Sequence, residues 1–356
     1  MSRPNFFEHL HPPTIPAREA RFTYTFGLGG MSLLLYLVLI VTGVPLMFVY
    51  VPTTASAAKS IRSITYVAPY GWLLRNVHYW AAVLLLLALG LHLLRVALSG
   101  SYKKPRQFNW LIGFIILLLS LLLSFSGYVL RWDVDTFGAL TVGVNIVREI
   151  PLLGEWLYGL VVGGPFIGDA TVVRFYTWHT LGLSIPVITL IGWHIFRVRR
   201  DGGISHQSLV VSHQSTVSNH PSPISKRRIS RRELVRREGI AMLALLILLL
   251  LLALFFDAPL APPVDPLAVP GTAVSKIEAP WFFLWIQALL RRLPPLWAGV
   301  IIPLVTAVIL AALPWTLDRS ETGTAVWFNR EGRLAQVVVL LIAGGIILLT
   351  MVELGG

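Results

Sequence analysis

Residues 77–98 read VHYWAAVLLLLALGLHLLRVAL, and this stretch decides the fold because it is predominantly apolar yet carries two histidines. A helix crosses the core of a bilayer with about 20 mostly apolar residues. His78 and His92 are 14 residues apart, which in a helix gives about 21 Å of rise and a direction within about 40° of the start. The sequence therefore predicts a membrane span with one histidine near each end of the same face.

A second segment, residues 175–196, repeats this feature. It carries His179 and His194, 15 residues apart, which in a regular helix gives about 22 Å of rise and an overshoot of about 60°. As the second and fourth spans, the two segments cross the membrane in the same direction, so His78 is expected level with His179, and His92 level with His194. Ionisable side chains inside a membrane are costly and mark function. Two facing imidazole pairs are the axial ligands that two six-coordinate haems require, whereas a single buried histidine can equally serve in packing or in a proton relay.

The composition places the whole chain in a membrane. Of its 356 residues, 55% are hydrophobic and 13% are charged, which is about half the charged fraction of soluble domains and excludes an ordinary water-soluble enzyme. The expected fold is an all-α integral membrane protein: a four-helix unit (residues 1–200), a basic linker (201–238) and a three-helix unit (239–356). Seven segments qualify or nearly qualify as spans, namely residues 31–50, 77–98, 111–130, 175–196, 240–256, 297–315 and 335–352.

The net charge of +12 indicates orientation. With the N-terminus inside, the inside segments hold 20 of the 29 Lys and Arg residues, as the positive-inside rule requires. The expected location is a prokaryotic inner (plasma) membrane, with the N-terminus cytoplasmic and the C-terminus outside. Membrane orientation then accounts for the surplus positive charge without a nucleic-acid partner. The basic end of the linker is expected to bind anionic lipid. The linker also contains His206, His213 and His220. We expect them to belong to a disordered polar segment rather than to form a metal-binding cluster.

Four glycines repeat the histidine interval. Gly29 and Gly43 in the first span are 14 residues apart, and so are Gly113 and Gly127 in the third. A flat macrocycle between helices needs positions without a side chain, one for each haem on each flanking helix. These glycines are therefore expected to pack against haems, and the alternative for any one of them is close packing of membrane helices.

Two arginines lie one helical turn beyond the histidines, toward water. Arg75 is three residues before His78, and Arg95 is three residues after His92. Each is placed to bind a haem propionate with its positive charge. The alternative is that each only extends its guanidinium to the membrane interface. The chain has no cysteine, so it ligates no iron–sulfur cluster and attaches no haem through a thioether.

Five stretches resemble the cytochrome b/b6 family, the membrane subunit of cytochrome bc-type complexes, and the three C-terminal spans resemble subunit IV. The resemblance implies a di-haem electron-transfer subunit of a quinol:cytochrome c-type (bc/b6f-like) oxidoreductase. It implies two non-covalent b-type haems, the outer one on His78 and His179 and the inner one on His92 and His194. The stretches are residues 71–78 (GWLLRNVH), 92–95 (HLLR), 103–106 (KKPR), 127–133 (GYVLRWD) and 174–179 (RFYTWH).

By the same resemblance, quinol is oxidised near the outer face. One electron goes to a Rieske-type Fe–S protein and on to a c-type cytochrome or an equivalent acceptor, and the other crosses the two haems to an inner quinone site. A dimeric complex is expected.

Tyr128, Trp281 and Phe282 are expected at the quinol site, although Trp281 and Phe282 can equally belong to the aromatic belt of an interface. Arg200 and Asp201 lie at the inner end of the fourth span, so their position alone makes them candidates for the inner quinone site.

Three departures from the family pattern bear on the chemistry. The family's Pro-Glu-Trp-Tyr, whose Glu accepts a quinol proton, is replaced by Ala-Pro-Trp-Phe at residues 279–282. Glu278 can substitute as proton acceptor, or it is a plain loop acid. Gly27 stands where chloroplast-type members attach an extra haem to a Cys, which excludes that covalent haem. Arg131 stands where the family has Pro, beside the quinol pocket.

Two other functions remain open at this point. The chain can be the cytochrome b of a non-bifurcating complex that moves electrons between an external redox partner and the quinone pool, since the acid of Pro-Glu-Trp-Tyr is absent. The alternative from another class is a transporter or a haem-free scaffold, which predicts that the protein binds no haem.

Overall fold

The computed structural model of the chain describes residues 14–16, 22–201, 228–264 and 278–355. Among these residues, seven helices are long and apolar enough to cross a membrane, which confirms the expected all-α architecture. The spans are α2 (Leu28–Val49), α4 (Gly71–Leu98), α5 (Gln107–Val129), α8 (Asp169–Arg200), α9 (Arg231–Phe255), α11 (Leu296–Thr316) and α12 (Arg333–Gly355). The shorter helices are α1 (Phe22–Thr25), α3 (Ala57–Tyr66), α6 (Val134–Arg148), α7 (Gly154–Val162) and α10 (Leu284–Leu290).

The first four spans pack as one bundle. Buried side chains from each of them meet in a single apolar cluster, to which α9 also contributes. Helix α4 packs against α2, α5 and α9, and α8 packs against α5. Because lipid tails are as apolar as the helices, close packing rather than hydrophobic burial holds such a bundle together. The cluster includes Leu35, Leu85, Ile116, Val187 and Leu249.

The start of the second half differs from the prediction. Helix α9 begins at Arg231, inside the expected linker, so the short span predicted at 240–256 is the apolar part of a 25-residue helix. Its polar first turns are stabilised locally, because Glu233 forms ion pairs with Arg236 (3.0 Å) and Arg237 (2.9 Å) at helical spacing. Just before it, strand β2 (Arg228–Ser230) pairs antiparallel with β1 (Thr14–Pro16). The linker histidines lie outside the described residues.

Pro303 does not interrupt the sixth span. A π-helical turn, Leu296–Ile301, precedes it, and Pro303 falls in the first turn of the regular helix that begins at Ile302. A proline there costs no hydrogen bond, since the first N–H groups of a helix have no partner within it.

Polar contacts join the two halves near the start of α4. Asn76 donates to the carbonyl of Ala253 (3.0 Å) and accepts from the N–H of Ala258 (2.9 Å). Trp80 donates to the carbonyl of Phe256 (2.7 Å). These bonds satisfy the end of α9 and fix the following segment against the four-helix bundle.

A buried ion pair joins the halves at the opposite end. Lys103 lies 3.2 Å from Asp318, and both side chains are almost fully buried. Burial alone would raise the pKa of Asp318, but hydrogen bonds from Ser320 and Tyr102 and the charge of Lys103 hold this pKa below its ordinary value. The KKPR stretch of the sequence therefore serves here as a structural junction.

Candidate functional site

One histidine pair faces across the bundle between α4 and α8. The ring centres of His78 and His179 are 6.2 Å apart and their planes are inclined by 72°. Two metal–nitrogen bonds of about 2 Å, each extended by about 1.1 Å from nitrogen to ring centre, place trans imidazole centres about 6 Å apart. The separation therefore fits one iron between the two rings. We call this end of the bundle the first end, and the end that holds His92 and His194 the second end.

Hydrogen bonds fix the tautomer of both histidines at the first end. The Thr42 hydroxyl donates to the carbonyl of Val38 (2.7 Å), so at its 2.9 Å contact with His78 Nδ1 it accepts. His179 Nδ1 donates to the carbonyl of Leu123 (3.0 Å). With both protons on Nδ1, each Nε2 keeps the lone pair that a metal needs, the arrangement typical of metal-binding histidines.

The second pair, His92 and His194, lies further along the same two helices. The two side chains lie close enough to each other to interact electrostatically. Their Nδ1 atoms are buried and, among the described residues, have no hydrogen-bond partner. The backbone of Asn109 lies beside His194 Nδ1 but outside hydrogen-bond geometry.

Each of the four predicted glycines faces one of the four histidines. A Cβ at Gly29 would lie 3.4 Å from His92 Cε1, and one at Gly43 would lie 3.2 Å from His78 Cε1. At Gly113 the distance to His194 Cε1 would be 3.1 Å, and at Gly127 the distance to His179 Cε1 would be 2.5 Å. The glycine interval thus repeats the histidine interval because each glycine makes room for an imidazole edge. Contact of these glycines with a macrocycle stays a prediction.

A π-helical turn explains why the histidines of α8 are 15 residues apart, whereas those of α4 are 14 residues apart. His179 lies within the π turn Trp178–Gly182, and such a turn accommodates one extra residue without advancing the helix face. The overshoot of about 60° expected for a regular helix is therefore largely removed. Single π turns inside helices occur often at functional sites.

The predicted propionate arginines lie beside their histidines but also bind backbone. Arg75 is buried and donates to the carbonyls of Ala258 (3.1 Å) and Pro259 (2.5 Å). Arg95 is buried, donates to the carbonyl of Tyr24 (3.0 Å) and lies over the Tyr24 ring. Nothing in the sequence pointed to these contacts, which join distant segments.

The first end also contains a cavity of about 500 Å³. Its wall includes both histidines of the first pair and the predicted quinol-site residues Tyr128, Trp281 and Phe282. The predicted proton acceptor, Glu278, is exposed, and its backbone carbonyl rather than its carboxylate lies 3.5 Å from the Tyr128 hydroxyl. The structure therefore brings the aromatic residues together with the histidines, and it leaves the role of Glu278 a prediction.

Arg131 brings charge into the cavity wall, an effect that the sequence alone does not define. Its guanidinium lies over the Tyr128 ring at 5.1 Å. It forms an ion pair with Asp133 (2.6 Å) and lies 3.6 Å from Asp135. Asp133 also begins α6 with a capping box, since it accepts from the N–H of Thr136 (3.1 Å). The residue that replaces the family's Pro is thus held by two carboxylates.

The end of α8 at the second end carries an ion-pair cluster. Asp201 is buried and lies 3.2 Å from Arg197 and 2.9 Å from Arg200. Sequence reasoning placed Arg200 and Asp201 here by location, and the structure adds that the carboxylate is engaged by both arginines.

The fold and the site define an integral membrane protein whose four-helix bundle carries two buried histidine pairs, one above the other, of the kind that bind haem for electron transfer. The chain belongs to the cytochrome b/b6 family. The family model described as cytochrome b/b6/petB matches residues 16–202, and the one described as cytochrome b(C-terminal)/b6/petD matches residues 263–354. Membership implies b-type haem, interaction with quinone and a role in electron transport, and it rules out the haem-free scaffold considered above.

Similar proteins agree with this assignment. Cytochrome b6 of Synechococcus sp. (strain JA-3-3Ab) is 37% identical over 175 residues, which cover 49% of this chain and 81% of that protein. A protein named menaquinol:cytochrome c reductase cytochrome b subunit, from Geobacillus thermodenitrificans, is 33% identical over 196 residues, 55% of this chain and 85% of that protein. A chain of a hyperthermophilic respiratory complex III shares the fold, with a TM-score of 0.69 at 22% identity over 93% of this chain and 92% of that chain.

Proposed function

We propose that this chain is the di-haem cytochrome b subunit of a quinol:cytochrome c-type oxidoreductase. His78 and His179 hold one haem, and His92 and His194 hold the other. The observation that carries the proposal is the first pair, whose ring separation of 6.2 Å and Nδ1 bonds leave two Nε2 atoms to bind one iron. When bound, haem supplies one-electron transfer through an apolar core that otherwise conducts no electrons.

The part of the first-end cavity that Tyr128, Trp281 and Phe282 line is the proposed quinol site, and the part between His78 and His179 is the proposed place of the first haem. Tyr128, Trp281 and Phe282 hold the quinol ring beside the first haem, and Glu278 is a candidate proton acceptor. Arg75 and Arg95 offer their remaining N–H groups to the propionates, and the four glycines let helices approach the haems closely. Residues 1–200 form the di-haem unit and residues 239–356 the subunit IV-like unit.

The proposed orientation puts the first end outside and both the second end and the N-terminus in the cytoplasm. Support comes from the positive charge at the second end, since cytoplasmic segments are rich in Lys and Arg. The loop after α4 carries Lys103 and Lys104, and the last turn of α8 carries Arg197 and Arg200. A Rieske-type Fe–S protein and a c-type cytochrome or an equivalent acceptor complete a dimeric complex. The membrane is the plasma membrane of a bacterium, in keeping with the relative from Geobacillus thermodenitrificans.

The test is a haem count with a redox titration on the purified complex. We expect two b-type haems per chain with distinct midpoint potentials, and co-purification of a Rieske-type subunit. His179→Leu is expected to leave one haem, because an iron that loses an axial imidazole is no longer held at that site. A complex with one haem or none in the unmodified protein contradicts the proposal.

A second candidate is the cytochrome b of a non-bifurcating complex. The observation that favours it is the cavity wall, which contains no Asp or Glu among the described residues. It predicts a purified complex without a Rieske protein, and quinol oxidation that inhibitors of the outer site do not block. Co-purification of a Rieske protein eliminates this candidate.

A further inference from the structure

The cavity at the first end poses a problem of proton release. If quinol is oxidised there, as proposed above, its hydroxyl protons must leave, and an acceptor has to lie within hydrogen-bond reach directly or through one water. In the described part of the chain the charged non-histidine residues of the wall are Arg75 and Arg131. Arg75 donates to backbone carbonyls. Arg131 is the wall residue that contacts carboxylates.

The two carboxylates beside Arg131 differ in what they can accept. Asp133 is buried, with a side chain 1% exposed. It accepts from Thr136, from two nitrogens of Arg131 and from the N–H of Ala261 (3.1 Å). A proton on Asp133 would have to displace one of these donors, which together hold the start of α6. Asp135 lies 3.6 Å from Arg131 on the first turn of α6, and its side chain is 47% exposed, so it can pass a proton to water.

We propose that Asp135, which lies 3.6 Å from the wall residue Arg131, accepts the proton that quinol releases. The O–H bond of a quinol hydroxyl breaks, its electron pair stays on the quinol oxygen, and the proton forms an O–H bond with the Asp135 carboxylate. From there it passes to bulk water. The Arg131 guanidinium stabilises the negative charge left on the quinol oxygen. Arg131 and Asp135 together thus take the place of an acidic residue in the cavity wall.

The charges around Asp135 favour this role. Partial burial raises the pKa of this carboxyl, neighbouring Asp133 and Glu278 raise it further, and Arg131 opposes them. A carboxylate with a raised pKa is a better proton acceptor near neutral pH. Among the described residues, the other titratable groups near Asp135 include Tyr128 on α5, which interacts electrostatically with it. Arg148 and Glu149 lie at the far end of α6, and Arg148 pairs with Glu155 on α7.

The test compares quinol oxidation at several pH values in membranes that contain the whole complex. The probe is a short-chain naphthoquinol, with a soluble c-type cytochrome as the final acceptor. In Asp135→Asn we expect the rate to fall about tenfold at pH 6, and the loss to shrink as pH rises and quinol ionises unaided. Asp135→Glu, which keeps a carboxylate, is expected to stay within about threefold of the wild type.

Glu155→Gln is the matched control, because Glu155 is an acid 80% exposed on a neighbouring helix; we expect its rate to equal that of the wild type at every pH. Haem content and the dithionite-reduced spectrum check assembly, and Asp135→Ser is a second carboxylate-free variant if Asp135→Asn does not assemble. A loss that is equal at all pH values, or a pH-dependent loss in Glu278→Gln with none at position 135, overturns the proposal. Failure of the proposed function is distinct, since the wild type itself would then oxidise no quinol.

Discussion

The two histidine pairs lie on the same two helices but differ in what holds their imidazoles. At the first end, Thr42 and the Leu123 carbonyl accept from the Nδ1 atoms of His78 and His179. At the second end, the Nδ1 atoms of His92 and His194 have no such partner among the described residues. An acceptor at Nδ1 makes an imidazole a stronger donor to iron and stabilises the oxidised metal. The comparison therefore predicts that the haem at the first end is the harder one to reduce.

The helices also differ in how they space their histidines. Helix α4 is regular between His78 and His92, whereas α8 contains the π turn at His179. The extra residue of α8 is thus absorbed at one place rather than spread along the helix. This difference gives the largest effect that we expect from a single change.

Deletion of one residue should be tolerated in α8 and not in α4. Removing Leu181 shortens the π turn to a regular turn, so we expect two haems per chain. Removing Leu87 rotates the rest of α4 by about 100° and shifts it by about 1.5 Å, which separates His92 from His194, so we expect one haem. Both leucines are about half exposed (52% and 47%), which makes them a matched pair. Equal haem loss in the two variants, measured as pyridine haemochrome, contradicts the comparison.

The glycines should also differ between the ends. A Cβ at Gly127 would lie 2.5 Å from His179 Cε1, whereas one at Gly29 would lie 3.4 Å from His92 Cε1. The first distance cannot be relieved by a flexible side chain, because the neighbour is the rigid ring that we propose as a haem ligand. We expect Gly127→Ala to lose the haem of the first end and Gly29→Ala to keep both. The measurement is haem per chain, and two haems in Gly127→Ala would show that the helices move apart.

Much of this site was predictable from the sequence, because histidine and glycine spacing follows from helix geometry. The four histidines, the matching glycines and the seven spans needed only the period of a helix and the thickness of a bilayer. The π turn at His179 was not predictable, since nothing local in Trp178–Gly182 marks it and the extra residue shows only against α4. The Arg75 contacts with residues 258 and 259 and the pairing of Arg131 with Asp133 and Asp135 depend on tertiary packing. The sequence does not reveal the start of α9 at Arg231, because the charged residues of its first turns are equally typical of a polar linker.

Removing the Nδ1 acceptor of His78 should raise the midpoint potential of the haem at the first end. Thr42→Val keeps the shape and removes the hydroxyl that accepts from Nδ1 at 2.9 Å. A lost hydrogen bond of about 1 kcal/mol corresponds to about 40 mV in a one-electron couple. Ser32→Ala is the control, since Ser32 is a buried hydroxyl of the same helix that donates to the carbonyl of Leu28. A spectroelectrochemical titration should show the first haem shifted upward and the second unchanged; equal shifts in the two variants would refute the link to Nδ1.

The smallest expected effect concerns Ser126, which lies 3.2 Å from His179 Nδ1. Its hydroxyl donates to the carbonyl of Leu123 (2.8 Å), and His179 Nδ1 donates to that same carbonyl (3.0 Å). Ser126→Ala therefore leaves the main acceptor in place, so the midpoint of the first haem should move by less than half of the shift in Thr42→Val, below about 20 mV. A shift as large as that of Thr42→Val would mean that Ser126, and not Leu123, accepts the Nδ1 proton. The potential difference between the two ends would then rest on two hydroxyls rather than on one hydroxyl and one backbone carbonyl.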